Sequence, residues 1–538
     1  MNFIYSREFF IKTATIILLL PLIAIYCFEL FRTAWFCDDA IISFRSVVHF
    51  INGYGPIYNV TERVQAYTHP AWFILLSFFS LIIPNVYIAS FFLSISISII
   101  VFVIFIVKIP KSLVYSIIPL TLLVLSKSFI DYSTSGLENP LTHFFILMTV
   151  IQADGVMQSS EKKVSYLQNF ILCLSLLYLT RPDGILLFFP LFCYFLFYFR
   201  HNMRGMIRAL LIGALPVFIW TFFSLYYYGF PFPNTSYAKL GTQIPLSDLI
   251  VQGWNYVCLT DYVSLAAIGL GLLTALFSGY YSRILACGVV MYCLYIISIG
   301  GDFMAGRFFS APLFLASILS ARPAFRNIYL SIIFYSLAAY TVLFPGMRDL
   351  ERTVLSPRHY TGTGAPVNYS NGIADERAFY HTFKAQGMIF HFKQKEGSSG
   401  YFPWDYTFDT HPYPTAFDGY IEDVKVTCGA LGELGITSGP KVHYIDVCAL
   451  SDPLLSRLPY AYGKDWRIGH FTRMLPQNYE ESIRQDKNLL LDPDTKAFYE
   501  SIRMITRAPL NNLERWKHII KINVGLVPYP NSDLYRHK

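Results

Sequence analysis

Thr-Ala-Thr-Ile-Ile-Leu-Leu-Leu-Pro-Leu-Ile-Ala-Ile-Tyr-Cys-Phe, residues 13–28, followed shortly by Phe-Cys-Asp-Asp-Ala-Ile-Ile-Ser-Phe-Arg, residues 36–45, decides the fold. The first stretch is an uncharged apolar run. The second places two adjacent carboxylates, Asp38 and Asp39, just beyond its end. Paired acids at a membrane–water boundary are costly unless they serve water, a cation or chemistry. The pair therefore predicts an enzyme whose active site faces the non-cytoplasmic side and whose substrate arrives in the lipid.

The rest of the composition agrees with a membrane setting. Of 538 residues, 54% are hydrophobic and only 14% charged, against roughly 25% charged in a soluble domain. Mean hydropathy is +0.43. The 39 Tyr and 47 Phe suit many helix ends in an interfacial belt. A net charge of +7 is spread over short loops, which fits the positive-inside rule and excludes a basic nucleic-acid groove. The first apolar run lacks a small-residue cleavage pattern and reads as an anchor.

Apolar runs predict about eleven spanning helices, near 12–32, 87–107, 112–128, 139–153, 165–180, 184–199, 208–227, 262–281, 284–300, 308–321 and 327–345. The stretch 71–84, bounded by Pro70 and Pro84, is too short to span and reads as an interfacial helix. With the N-terminus cytoplasmic, Lys108 and Lys111, Lys162 and Lys163, Arg200, Arg204 and Arg208, Arg283, and Arg322 and Arg326 all fall inside. The segments around Asp38/Asp39, Glu138, Asp183 and Asp302 fall outside. After Pro345 the chain turns polar. This predicts a transmembrane domain, 1–347, and a mixed α/β periplasmic domain, 348–538, with a strand over 441–447 and a helix over 478–486. Nine cysteines show no metal-type spacing. Cys428 and Cys448 are the pair in the polar tail, able to form a disulfide if that tail is periplasmic.

Five membrane-edge segments and one in the tail carry candidate chemistry. The first loop holds Asp38, Asp39 and Arg45, the turn Asn52-Gly53-Tyr54-Gly55-Pro56, and Tyr67-Thr68-His69-Pro70. Its carboxylates suit a base, a cation ligand or a nucleophile, and equally a helix cap. Glu138 precedes Pro140 at a helix start, where the dipole favours an acid. Thr180-Arg181-Pro182-Asp183-Gly184 places an Arg beside an Asp. Pro231-Phe232-Pro233-Asn234-Thr235-Ser236-Tyr237-Ala238-Lys239 reads as an interfacial loop with a lone cation. Gly300-Gly301-Asp302-Phe303-Met304-Ala305-Gly306-Arg307 combines close-approach glycines with a planar guanidinium. Arg181, Lys239 and Arg307 together would neutralise a lipid-linked phosphate, or else attract anionic headgroups. In the tail, Trp466-Arg467-Ile468-Gly469-His470-Phe471 reads as a sugar surface or as core.

Taken in order, Asp38-Asp39-Ala40-Ile41-Ile42-Ser43-Phe44-Arg45, Tyr67-Thr68-His69-Pro70-Ala71-Trp72, Ser135-Gly136-Leu137-Glu138, Thr180-Arg181-Pro182-Asp183-Gly184, Pro233-Asn234-Thr235 with Tyr237-Ala238-Lys239, and Gly301-Asp302 with Arg307 resemble the polytopic glycosyltransferases of GT-C fold. The resemblance is to terminal arabinofuranosyltransferases of mycobacterial arabinan synthesis and their proteobacterial relatives, the pilin arabinosyltransferases among them. It extends into the tail through Ile445-Asp446, Leu450-Ser451-Asp452 and residues 466–471. Ile41 stands where Tyr is common, and Asn139 where Thr or Ala often follows the Glu.

The resemblance implies transfer of D-arabinofuranose from a decaprenyl- or undecaprenyl-phosphate donor to a cell-envelope glycan or pilin acceptor at the periplasmic face of the inner membrane. It implies an essential loop acid, Asp38 or Asp39, with donor phosphate on Arg181, Lys239 and Arg307. Arg45, His69, Glu138, Asn234, Tyr237 and Asp302 are then candidates to hold sugar or acceptor. Related enzymes neutralise the leaving phosphate with Arg and Lys or bind a divalent cation at the acids. Three candidate cations favour the metal-free form. A hexose or aminoarabinose transferase and a non-catalytic flippase of lipid-linked sugar are the alternatives. A flippase would place its ionisable residues near mid-membrane, whereas here they gather at one face.

Overall fold

The computed structural model describes residues 2–110, 113–240, 242, 244–322, 333, 336, 340, 372–380, 421–461, 466–530 and 532–535. The helix expected at 327–345 lies largely outside these residues. The chain divides into two compact units that interleave along the sequence. One takes Met1–Cys37, Phe91–Leu215 and Leu246–Phe402; the other takes Asp38–Ser90, Pro216–Pro245 and Pro403–Lys538. Compactness thus gathers segments from both sides of residue 347.

The first unit is helical. Its apolar runs become the helices Asn2–Thr33, Asn139–Gln158, Lys163–Thr180, Phe189–Tyr198, Met203–Gly213, Tyr262–Leu276, Tyr280–Ser298 and Ser310–Ser320. Leu246–Leu259, which holds Asp248, Gln252 and Asn255, is a further helix that its polarity conceals in the sequence. Among the described residues, three helices of the chain are long and apolar enough to cross a membrane, or up to six if each bent pair is one span. Small residues set the helix spacing. A Cβ on Gly271 would lie 2.3 Å from the Ala316 carbonyl oxygen, and one on Gly288 1.9 Å from that of Leu187. The second contact seats helix Tyr280–Ser298 against the short 3-10 segment Pro182–Leu187, which fixes the loop carrying Arg181 and Asp183.

The second unit joins the segment 38–90 to the polar tail. Asp38–Ile51, expected as loop, is an amphipathic helix with most of its length buried. It packs on helix Leu431–Thr437, where a Cβ on Gly432 would lie 2.2 Å from the Asp38 carbonyl oxygen. Strands β1, Asp423–Thr427, and β2, Val442–Asp446, pair in parallel with Val424 opposite His443. A parallel pair needs a crossover, and helix Leu431–Thr437 supplies it. All five residues of β2 are buried, the polar His443 and Asp446 included. Ile445, Leu454, Leu455, Phe498, Ile502, Ile505 and Ile519 form the core, with Phe230 and Ala238 contributed from the middle of the chain. Helices Pro493–Arg507 and Leu513–Asn523 close it. Asp492 caps the first through the Thr495 amide and Asn512 the second through those of Glu514 and Arg515. Helix Tyr479–Arg484 matches the expected 478–486. Cys428 and Cys448 are joined by a disulfide with Cα atoms 5.2 Å apart.

Candidate active site

In the first unit, Glu138, Arg181, Asp302 and Arg307 come together. Glu138 lies 3.1 Å from Arg181 Nη1 and 3.5 Å from Arg307 Nη2. Arg181 also meets Asp183 at 3.0 Å, and Arg307 meets Asp302 at 3.6 Å. The Tyr292 hydroxyl accepts from Arg181 Nε and donates to Asp183. Phe308 lies 4.5 Å beneath the Arg181 guanidinium. Three carboxylates therefore surround two guanidiniums. The positive φ of Gly300 and Gly301 turns the chain into Asp302, and the close approach at Gly301 is to the Tyr256 ring.

In the second unit, Asp38 and Asp39 part company. Asp38 is buried, and its carboxylate accepts from the Gly432 amide at 3.0 Å and the Glu433 amide at 2.8 Å. It caps helix Leu431–Thr437, far along the chain. Asp39, one residue on in the first helical turn, is half-buried. Its charge acts on His470, as do those of Arg467 and Lys239. Burial first, and then Arg467, push the His470 imidazole down to about 4, against the pull of Asp39. His470 is thus neutral near pH 7. Its ring is part-buried, and Nδ1 lies 3.5 Å from the Ile468 carbonyl oxygen. Lys239 is exposed, in the last turn of a short helix Asn234–Leu240, where a loop was expected.

The remaining candidates of this unit hold protein groups. Arg45 is fully buried and donates from Nε, Nη1 and Nη2 to the carbonyls of Tyr58, Gly435 and Val442 at 2.9, 2.5 and 2.9 Å. His69 Nε2 meets Ser43 Oγ at 2.9 Å. Asn234 Nδ2 donates to the carbonyls of Ala449, Leu450 and Asp452. Asn234 Oδ1 accepts from Ser456 and Arg457. Tyr237 lies under the Arg457 guanidinium at 4.3 Å. Among the described residues no group of three or more His, Cys, Asp or Glu is placed to hold a metal ion.

Asp446 closes the turn after β2 by accepting from the amides of Cys448, Leu450 and Ser451. Burial pushes its carboxyl up to about 6, while those amides pull it back. A raised carboxyl keeps its proton in the folded chain after the unfolded chain has lost it. The stability it contributes is full below its ordinary range near 4 and is lost as pH rises through about 6. Melts followed by tryptophan fluorescence are expected to fall by several degrees between about pH 4 and 6. Asp446→Asn should flatten that slope, and an unchanged slope would exclude Asp446 as its source.

No family model matches the chain. It is 26% identical to the terminal β-(1→2)-arabinofuranosyltransferase of Mycobacterium tuberculosis, over 82% of this chain and 81% of that one. It is 25% identical to the protein of the same name from Corynebacterium glutamicum, over 52% of this chain and 46% of that one. Among solved structures, an archaeal oligosaccharyltransferase from Archaeoglobus fulgidus, in complex with an inhibitory peptide and a dolichol-phosphate, aligns with a TM-score of 0.43 at 12% identity, over 79% of this chain and 64% of that one. The expected resemblance is thereby borne out along most of the chain, and this protein is a homologue of the terminal arabinofuranosyltransferases, enzymes of glycosyl transfer.

Proposed function

We propose that the protein is an integral membrane arabinofuranosyltransferase. It moves D-arabinofuranose from a polyprenyl-phosphate donor to a cell-envelope glycan or pilin acceptor on the periplasmic side. The observation that carries this reading is the cluster of Asp39, His470, Lys239 and Arg467, in a chain homologous to transferases of that sugar. Asp39 takes the proton of the acceptor hydroxyl as its oxygen attacks the anomeric carbon. Lys239 neutralises the phosphate as the glycosidic bond breaks. Neutral His470, on which the acid and both cations act, orients sugar hydroxyls.

Arg181 and Arg307 are already balanced by Glu138, Asp183 and Asp302. We assign them the task of fixing Glu138. The Cys428–Cys448 disulfide supports an oxidising compartment for the tail, as the basic loops do for the opposite face. The test is transfer from synthetic decaprenyl-phosphate arabinofuranose to envelope acceptors by the purified full chain. Labelled arabinan or pilin is the expected product. Transfer from a hexose donor alone would replace the sugar assignment, and donor movement across vesicles without transfer would replace the enzyme by a flippase.

A further inference from the structure

The second unit contains a cavity of about 510 Å³ beside the segment 231–239. Its walls include Phe232, Ser236, Tyr237, Leu240, Arg457 and Tyr529. Phe232, Leu240 and Tyr529 are exposed at its rim, and Arg457 is buried in its wall. The arginine is built in. Its guanidinium lies between the rings of Phe230 and Tyr237, 3.9 and 4.3 Å from their centroids. All three protein acceptors, Asn234 Oδ1, the Pro453 carbonyl and Ser456 Oγ, are taken by Nη1. Among the described residues, Nε and Nη2 have no acceptor, and no carboxylate lies within ion-pair distance.

A buried guanidinium without a counterion is costly. The nearest acid acting on it, Asp452, is spent on the amides of Leu454 and Leu455 and on the Tyr479 hydroxyl. Burial, with Glu62 nearby, also pushes Asp452 up, towards its neutral form. Arg457 itself is drawn down only to about 10 by burial and stays charged at neutral pH. The site thus offers an unbalanced planar cation with two unused donors, next to an open apolar wall. That pairing fits an anion that carries one apolar chain.

We propose that this cavity binds the phosphate and first isoprene units of a prenyl phosphate, with the phosphate on the Nε/Nη2 edge of Arg457 and the chain over Phe232, Leu240 and Tyr529. The proposal rests on the lipid-phosphate donor read above and names the residues that hold its lipid end. Leu240 adjoins Lys239 on the same short helix. The volume suits one headgroup and the start of one chain.

The test uses the full-length protein in detergent with farnesyl phosphate as probe. Affinity is expected to fall about tenfold or more in Arg457→Gln, which removes a charge-assisted pair of donors, and less in Leu240→Ser. Farnesol should bind weakly and respond to Leu240→Ser alone. Because Arg457 also ties Asn234 and Ser456, the wild-type chain carries the second measurement. A diazirine-bearing farnesyl phosphate should label residues 232–240 or 529–530, and unlabelled farnesyl phosphate should displace it. Labelling elsewhere, with binding intact, overturns the cavity and leaves the lipid donor standing. Equal displacement by phosphatidylglycerol overturns the prenyl assignment in favour of a phospholipid site. Absence of any farnesyl phosphate binding overturns the cavity and the donor reading together.

Discussion

Asp39→Asn is expected to lower transfer by at least about 10²- to 10⁴-fold, the range for removing a general base, while the protein folds and melts as wild type does. The change keeps shape and removes charge at a half-buried position in the first turn of its helix. Asp38→Asn behaves differently. It replaces one of two carboxylate oxygens that accept the buried amides of Gly432 and Glu433. Loss of a cap of this kind costs about 1–2 kcal/mol, so its first effect is on the melting temperature. Activity should survive in whatever fraction remains folded. Rates and melts measured side by side on both variants separate chemistry from capping. If Asp38→Asn abolishes transfer in a fully folded protein while Asp39→Asn is active, the assignment of the base to Asp39 is wrong.

Arg45→Met should be the most destabilising single change in the second unit. The methionine fills much of the space yet leaves the carbonyls of Tyr58, Gly435 and Val442 without their donors. The rings of Tyr58 and Tyr444, 4.5 and 5.5 Å from the guanidinium carbon, also lose their cation. Each unsatisfied buried acceptor costs about 1–3 kcal/mol, so a total of about 3–5 kcal/mol is expected even with partial relaxation. In a small domain that is a large share of the total. Limited proteolysis should cut Arg45→Met within the segment 421–461 under conditions that spare wild type. A variant as resistant as wild type would mean that the three carbonyls find other partners.

What the sequence discloses here depends on the range of the interaction. Apolar runs bounded by Pro, Gly and charges are local, and the helices Asn139–Gln158, Lys163–Thr180 and Tyr280–Ser298 stand within a few residues of expectation. Strand β2 was legible because it is buried on both faces. Strand β1, with Asp423 and Lys425 among its five residues, carries no such run. Helix Asp38–Ile51 was legible only as the alternative in which the acids cap a helix, because its acids and Arg45 look like loop chemistry until their partners are known. Those partners lie 390 to 397 residues away for Arg45 and 394 to 395 for Asp38. Nothing near Asp38 in the sequence records a cap supplied to residues 432 and 433. The segment 466–471 reads equally as a sugar surface or as core, and the fold adds that the charge of Asp39, not Asp38, acts on His470.

The same separation has a cost in time. Residues 38–90 leave the ribosome early, and the carbonyls and amides that Arg45 and Asp38 engage are made nearly four hundred residues later. At about 5–20 residues per second that wait is on the order of tens of seconds. Through it a short amphipathic helix with two acids and an arginine, whose early partner is the Tyr58 carbonyl alone, must wait for the rest of its core. Assembly of this unit is therefore a late, post-insertion event, and the newborn chain is the state most exposed to surveillance proteases and most in need of a holding factor.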